Sequence, residues 1–227
     1  MHKLSIIIPC YNEEKTIISI LKKINHVNLQ DIEKEIIIVD DYSIDNTRDL
    51  LQKNKKLYSK LILSDMNNGK GASIKKGIDM ASGDYIIIQD ADLEYDPNDY
   101  MKLLIPLLSN QCDVVYGTRF GNRNYNKGYF FNRWANKILT NISNLFTHYK
   151  LTDMETCYKV FKKEIIKNII LEEKRFGFEP EITHKLAKNH VNIIEVSINY
   201  YPRSKKEGKK INFKDGLNAL HCIIKYR

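Results

Sequence analysis

The chain has 227 residues, 43% hydrophobic and 28% charged, with a formal net charge of +8. It is long enough for one large domain and short of a comfortable two, and it can bury a core without disulfides or structural metals. The basic balance favours anionic partners such as nucleotides, phosphorylated lipids, membrane surfaces or nucleic acid, and does not choose among them.

The first half alternates strand and helix. Leu4–Ile8 is a β-branched apolar run stopped by Pro9, and Asn12 is the expected N-cap of a helix carrying Ile17, Ile20, Leu21 and Ile24 at helical spacing. Glu35–Val39 is a second strand stopped by Asp40-Asp41, and Ser43 or Asp45 caps the next helix, with Leu50 and Leu51 on its buried face. Leu61–Leu63 reads as a third strand, and Asn68-Gly69-Lys70-Gly71 as a turn opening a helix that ends near Gly83. Tyr85–Ile88 is the fourth strand and runs into Asp90-Ala91-Asp92; Asp96-Pro97 opens a helix through Leu108, and Val114–Tyr116 is a fifth strand. Beyond a polar loop at Gly117–Gly128, helices are expected at Tyr129–Phe146, Glu179–Lys188 and Phe213–Tyr226, and strands at 157–162 and Val191–Tyr200.

Several strands are apolar at consecutive positions, which signals burial on both faces and a mostly parallel α/β sheet flanked by helices. Ligands of such sheets bind at the carboxyl ends of the strands. The polar clusters Pro9–Glu13, Asp40–Ser43 and Asp90–Glu94 all fall there. The expected organisation is a single domain over 1–227, with a donor-binding half at 1–117 and an acceptor-binding half at 118–227. Four separated cysteines, no signal-peptide pattern and no run of about 18 apolar residues lead to the expectation of a cytosolic protein with reduced thiols.

Asp90 and Asp92, one residue apart in extended backbone, would point the same way and offer oxygens to a hard divalent cation, Mg²⁺ or Mn²⁺. Glu94 is a further candidate ligand. Asp40 or Asp41 can accept from a ribose hydroxyl or a base N–H. Tyr11 can stack on a base, and Glu13 can reach base or ribose. Each cluster alone also fits a solvated turn or a helix cap. Nucleic-acid binding would explain the charge but not the acidic strand ends. The turn at 68–71 lacks P-loop spacing, and Pro9–Glu13 lacks the Gly-rich basic loop of a nucleotidyltransferase.

The ordered set Ile6-Ile7-Ile8-Pro9-Cys10-Tyr11-Asn12-Glu13, Ile38-Val39-Asp40-Asp41-Tyr42-Ser43 and Asp90-Ala91-Asp92 resembles the family 2 glycosyltransferases of GT-A fold. The segments 89–97, 151–159, 175–181 and 207–211 are most similar to the dolichyl- or polyprenyl-phosphate mannose or glucose synthases. The resemblance spans nearly the whole chain. It implies that Pro9, Tyr11, Glu13 and Asp41 hold base and ribose, and that Asp90, in the motif with Ala91, sits near ribose and diphosphate. It implies further that Asp92 and Glu94 hold the metal and that Arg203 meets the donor diphosphate. Arg119 and Arg133 would receive the acceptor phosphate, and Asp153 would lie near the reacting carbon. One departure is Tyr42, where the family usually has Gly or Ala.

An inverting transfer from UDP-glucose or GDP-mannose follows from the resemblance. An ionised lipid phosphate needs cations, which Arg119, Arg123 and Arg133 offer. A hydroxyl acceptor needs a general base, for which Asp153, Glu155, Glu179 and Glu181 are candidates. The aromatics Tyr129, Phe130, Phe131 and Trp134, and eight Lys or Arg between Tyr200 and Arg227, would suit peripheral attachment at the cytosolic membrane face.

Overall fold

The computed structural model describes residues 1–120, 130–203 and 213–227, with the side chains of 130–132 and 213–214 left aside. Arg123, Tyr129, Lys205, Lys209 and Lys210, together with the side chains of Phe130 and Phe131, therefore lie outside the described residues.

Seven strands form one sheet in the order β3-β2-β1-β4-β6-β5-β7. They are β1 (His2–Cys10), β2 (Ile32–Asp40), β3 (Lys60–Leu63), β4 (Tyr85–Ile88), β5 (Val114–Thr118), β6 (Lys159–Lys162) and β7 (Ile193–Ser197). The isoleucine runs explain the centre of the sheet. Ile6, Ile7 and Ile8 on β1, Ile37 and Ile38 on β2 and Ile86, Ile87 and Ile88 on β4 are all 0% exposed, so both faces of these strands are covered. The register sets Ile6 beside Ile36 and Ile87. β1, β2, β3 and β4 are mutually parallel, and β5 pairs parallel with β7. β6 lies antiparallel between β4 and β5. This is the expected mostly parallel α/β sheet with one reversed strand.

The helices are α1 (Ile17–His26), α2 (Thr47–Lys53), α3 (Lys70–Met80), α4 (Tyr100–Leu108), α5 (Phe130–Thr147), α6 (Lys163–Lys167), α7 (Phe178–Lys188) and α8 (Phe213–Lys225). Ile17, Ile20, Leu21 and Ile24 are the buried stripe of α1, as their spacing predicts. Several boundaries differ from expectation; among them, the N-cap of α2 is Asn46 and not Ser43 or Asp45. Asn12 does not cap α1: it adopts φ 50° in a tight turn, and the Glu13 carbonyl accepts from Thr16 N and Ile17 N at the helix start. α3 ends at Met80, before Gly83. Asp96 caps a 3-10 turn at Pro97–Asp99 by accepting from Asn98 N, and α4 follows.

The topology sets where a site can form. From β1 the chain moves outward through β2 to β3, then returns past β1 to β4. Strand order thus reverses between β1 and β4, and the crevice at the carboxyl ends of these two strands is the natural ligand position. Because β6 is antiparallel, residues 153–158 just before it reach the same edge. Among the described residues, no helix is long and apolar enough to cross a membrane.

Candidate active site at the carboxyl edge of the sheet

The loops after β1 and β2 are stitched together. Asn12 N donates to Ser43 Oγ (2.9 Å), and Asn12 Oδ1 accepts from Ile44 N (2.9 Å). Glu13 N donates to Thr47 Oγ1, and Glu14 N to Asp45 Oδ2. Asp40 is fully buried and accepts from Ser43 N and Arg48 Nε. Asp41 turns the other way, with Oδ1 accepting from Asn68 N (2.9 Å) and Oδ2 from Gly69 N (2.6 Å). In this structure Asp41 therefore fixes the turn before α3. Tyr42 has φ 68°, a left-handed conformation that glycine adopts without strain. Its half-exposed ring lies 5.2 Å beneath the Arg48 guanidinium.

The turn at 68–71 has a packing role that explains its glycines. A Cβ on Gly69 would stand 2.6 Å from Lys174 O, and one on Gly71 would stand 2.2 Å from Glu173 O. The N–H groups of Gly71 and Ala72 donate to the carbonyls of Arg175 and Lys174, so the start of α3 is satisfied by backbone. This construction carries Lys70 into the crevice. Its Nζ lies 2.9 Å from Asp90 Oδ1 and 3.2 Å from Glu179 Oε1. Burial opposes the Lys70 charge, but Asp90, Cys157 and Glu179 outweigh it and hold the ammonium firmly protonated. Burial likewise opposes the Asp90 carboxylate, and Lys70 keeps it below its ordinary range.

Asp90 and Asp92 meet different partners. The chain bends directly after β4, so the extended backbone expected there is not formed. Asp90 goes to Lys70, whereas Asp92 meets Arg203. Ala91 is buried between them. Gln89 anchors the bend: its Oε1 accepts from Tyr100 OH (2.6 Å) and Tyr158 OH (2.7 Å), and its Nε2 donates to Asp90 O.

Arg203 is delivered from the far end of the chain. Tyr95 and Tyr200 form an antiparallel bridge, and Tyr201 N donates to Glu94 O. Asn199 is held by Asp99 through both its backbone and its side chain. The Arg203 guanidinium then lies 2.5 Å from Asp92 Oδ2 and 3.3 Å from Glu13 Oε2, and its Nε is 3.7 Å from Glu94 Oε1. Glu94 also accepts from Arg203 N (2.7 Å) and Tyr200 OH (2.8 Å). Burial, Asp90 and Glu94 push Asp92 up to about 8, and Arg203 only partly opposes them.

The donor chemistry here is all hard oxygen and negatively overloaded, which suits Mg²⁺ or Mn²⁺. Among the described residues, no three acidic, histidine or cysteine side chains are grouped closely enough to hold a metal as they stand.

On the other side of β4, Arg119 makes a buried bidentate pair with Asp153. Its Nε and Nη2 donate to Oδ2 and Oδ1, each at 2.7 Å, and its backbone N donates to Oδ2 at 3.0 Å. Asp153 is 0% exposed, so its carboxylate is spent on Arg119 and is not presented to the crevice. Arg133 lies with its guanidinium 5.5 Å from the Phe120 ring, next to Arg119. Of the other candidate bases, Glu181 is structural, accepting from Glu172 N, Glu173 N and Lys185 Nζ, and Glu179 faces Lys70. Glu155 is different: its Oε1 is buried without a hydrogen-bond partner, and burial and Glu179 push the group up to about 7. Lys159 Nζ donates to the carbonyls of Met154 and Thr156 and wraps the turn that carries these residues.

Sequence reasoning missed Lys70, Gln89 and Lys159. Lys70 and Gln89 lie inside segments it singled out, but it gave them no role, since their partners are distant in the chain. Pro9 and Tyr11 are half-buried at the end of β1, and Glu13 accepts from Thr16 Oγ1 (2.7 Å).

Residues 5–170 match the profile of Glycosyl transferase family 2. The chain belongs to that family and is a glycosyltransferase. It is 31% identical over 232 residues to an uncharacterized protein of Methanocaldococcus jannaschii, covering 97% of each chain. It is 27% identical over 228 residues to an undecaprenyl-phosphate 4-deoxy-4-formamido-L-arabinose transferase of Proteus mirabilis, covering 99% of this chain and 67% of the relative. The similarly named protein of Pseudomonas fluorescens is also 27% identical, over 86% of this chain and 57% of its own length. Among solved structures, glucosyl-3-phosphoglycerate synthase of Mycobacterium tuberculosis, in complex with Mn²⁺, UDP and glucosyl-3-phosphoglycerate, superposes with a TM-score of 0.73. That likeness covers 99% of this chain and 80% of the other at 17% identity, and it shows the shared GT-A fold.

Proposed function

We propose that the protein transfers a hexose from a nucleotide diphosphate sugar, UDP-glucose or GDP-mannose, to a polyprenyl phosphate, with inversion at the anomeric carbon. The observation that carries this reading is the gathering of Glu13, Asp92 and Glu94 around Arg203 where the strand order reverses. In this reading Pro9, Tyr11 and Glu13 line the base and ribose, with Asp41 shaping that wall through the 68–69 turn. Asp90, steadied by Lys70, faces the ribose and diphosphate. Asp92 and Glu94, with Asp90 nearby, are the residues that would hold Mg²⁺ or Mn²⁺, which supplies Lewis-acid neutralisation of the leaving diphosphate when bound. Arg203 adds charge-assisted hydrogen bonds to that diphosphate. The relatives crystallised with Mn²⁺ or Mg²⁺ and UDP support the metal and the donor class.

Residues 1–117 supply the donor half and 118–227 the acceptor half. An ionised phosphate needs no base but needs cations, and this reading gives that role to Arg119, held by Asp153, and to Arg133. The relatives named for undecaprenyl phosphate support this acceptor. α5 and α8 expose Trp134, Leu145, Phe146, Leu217 and Ile224. Lys137, Lys150 and Arg227 are exposed on or beside the same helices, an arrangement suited to peripheral contact with an anionic membrane.

A second reading, transfer to a sugar or protein hydroxyl, is favoured by one observation: the unpartnered Glu155 oxygen, on a carboxyl group placed to act as a base near neutral pH.

The test is nucleoside diphosphate release from UDP-glucose and GDP-mannose with Mg²⁺ or Mn²⁺, with and without a polyprenyl phosphate. Release that requires the lipid phosphate is the expected result. Transfer to a glycan hydroxyl without the lipid, lost in Glu155→Gln, would replace the first reading with the second.

A further inference from the structure

Resting on the donor site just described, we propose that Arg203 occupies the place of the divalent cation until a nucleotide arrives, so that metal enters this site with the donor and not ahead of it.

The geometry is that of a competitor. One guanidinium nitrogen stands 2.5 Å from Asp92 Oδ2, and another stands 3.3 Å from Glu13 Oε2. The Nε side faces Glu94 Oε1 at 3.7 Å. A Mg²⁺ ion needs its oxygen ligands at about 2.0–2.1 Å. It cannot approach Asp92 and Glu94 while a guanidinium lies between them, because the two cations repel and claim the same oxygens. A planar fork of donors is suited to span several carboxylates at once, which a lysine ammonium does less well.

The arrangement is also built to be undone. Arg203 is one cation among three carboxylates, so its departure in favour of a doubly charged ion improves the local charge balance. The backbone that carries it is anchored by the Tyr95–Tyr200 bridge, by Tyr201 N on Glu94 O and by Asn199 on Asp99. The exchange therefore requires only the side chain to swing. A donor diphosphate gives that side chain a new bidentate anionic target. The differential contact needed to shift the equilibrium is thus supplied by the nucleotide. Metal and nucleotide then bind with positive coupling, each raising the affinity of the other by the same factor. If the guanidinium is in place about nine-tenths of the time, the metal binds about tenfold more weakly to the nucleotide-free protein than to a site without the arginine.

The experiment is a Mn²⁺ titration of the full-length protein, followed by the loss of the free-ion EPR signal, for wild type and Arg203→Gln, with and without UDP. Without UDP, Arg203→Gln should bind Mn²⁺ roughly tenfold more tightly than wild type. With UDP, that advantage should vanish or reverse. Equal or weaker Mn²⁺ binding by the nucleotide-free variant would overturn the proposal while leaving the metal reading intact. No Mn²⁺ binding by either form, even with UDP, would remove the metal reading itself and this proposal with it.

Discussion

Two arginines of this protein end in carboxylate surroundings close to the same sheet edge, and they are used in opposite ways. Arg119 meets one partner, Asp153, with matched bidentate geometry, and both are buried. Charge is balanced one to one and every oxygen of Asp153 accepts a hydrogen bond. Arg203 meets three carboxylates from two separate stretches of chain and satisfies none of them completely by itself. The first arrangement has one low-energy state. The second is held short of balance, and a site of that kind is responsive to an incoming cation or an incoming phosphate.

The contrast can be broken in order of expected effect. Arg119→Met should cost about 3–5 kcal/mol of stability, because it strands the buried Asp153 charge. Chemical denaturation measures the loss, and the double substitution Arg119→Met with Asp153→Leu should recover much of it. Arg203→Gln should do the reverse. Turnover should fall by about 10²-fold, the scale of losing one donor to a developing charge, with a change in Tm smaller than that of Arg119→Met. A large Tm loss in Arg203→Gln would erase the distinction between the two arginines.

Glu155→Gln sharpens the acceptor side. With a phosphate acceptor, kcat should change less than about tenfold; a loss of about 10²-fold or more would mark a general base. The smallest effect lies far from the crevice. Burial and Lys188 lower the His184 imidazole to about 4, and its Nε2 lies 3.1 Å from Ser143 Oγ. The unfolded chain takes up that proton near pH 6.5, so the stabilising contribution is complete above about 6.5 and is lost as pH falls toward about 4. Melting curves between pH 7 and pH 4 should show a steeper loss for wild type than for His184→Gln.

How much of this was legible in the sequence varied by region. The central strands were readable because consecutive isoleucines have one common explanation, burial on both faces. The reversed direction of β6 was not, since a four-residue strand reads the same either way. Asn12 was misread as a cap because its left-handed turn is imposed by bonds to Ser43 and Ile44, thirty residues away in sequence. The acidic strand ends located the crevice. The pairing of Asp90 with Lys70 and of Asp92 with Arg203 rests on an approach that no local pattern records. What Tyr42 costs its loop is seen only in its left-handed φ of 68°.

The most direct measurement is nucleotide binding by calorimetry, titrating UDP and GDP into wild type and Asp92→Ala with and without Mn²⁺. The expected result is that Mn²⁺ strengthens binding of one nucleotide to wild type and does nothing for Asp92→Ala. Equal Mn²⁺-dependent binding by both forms would contradict the placement of the donor and metal site around Asp92, Glu94 and Arg203.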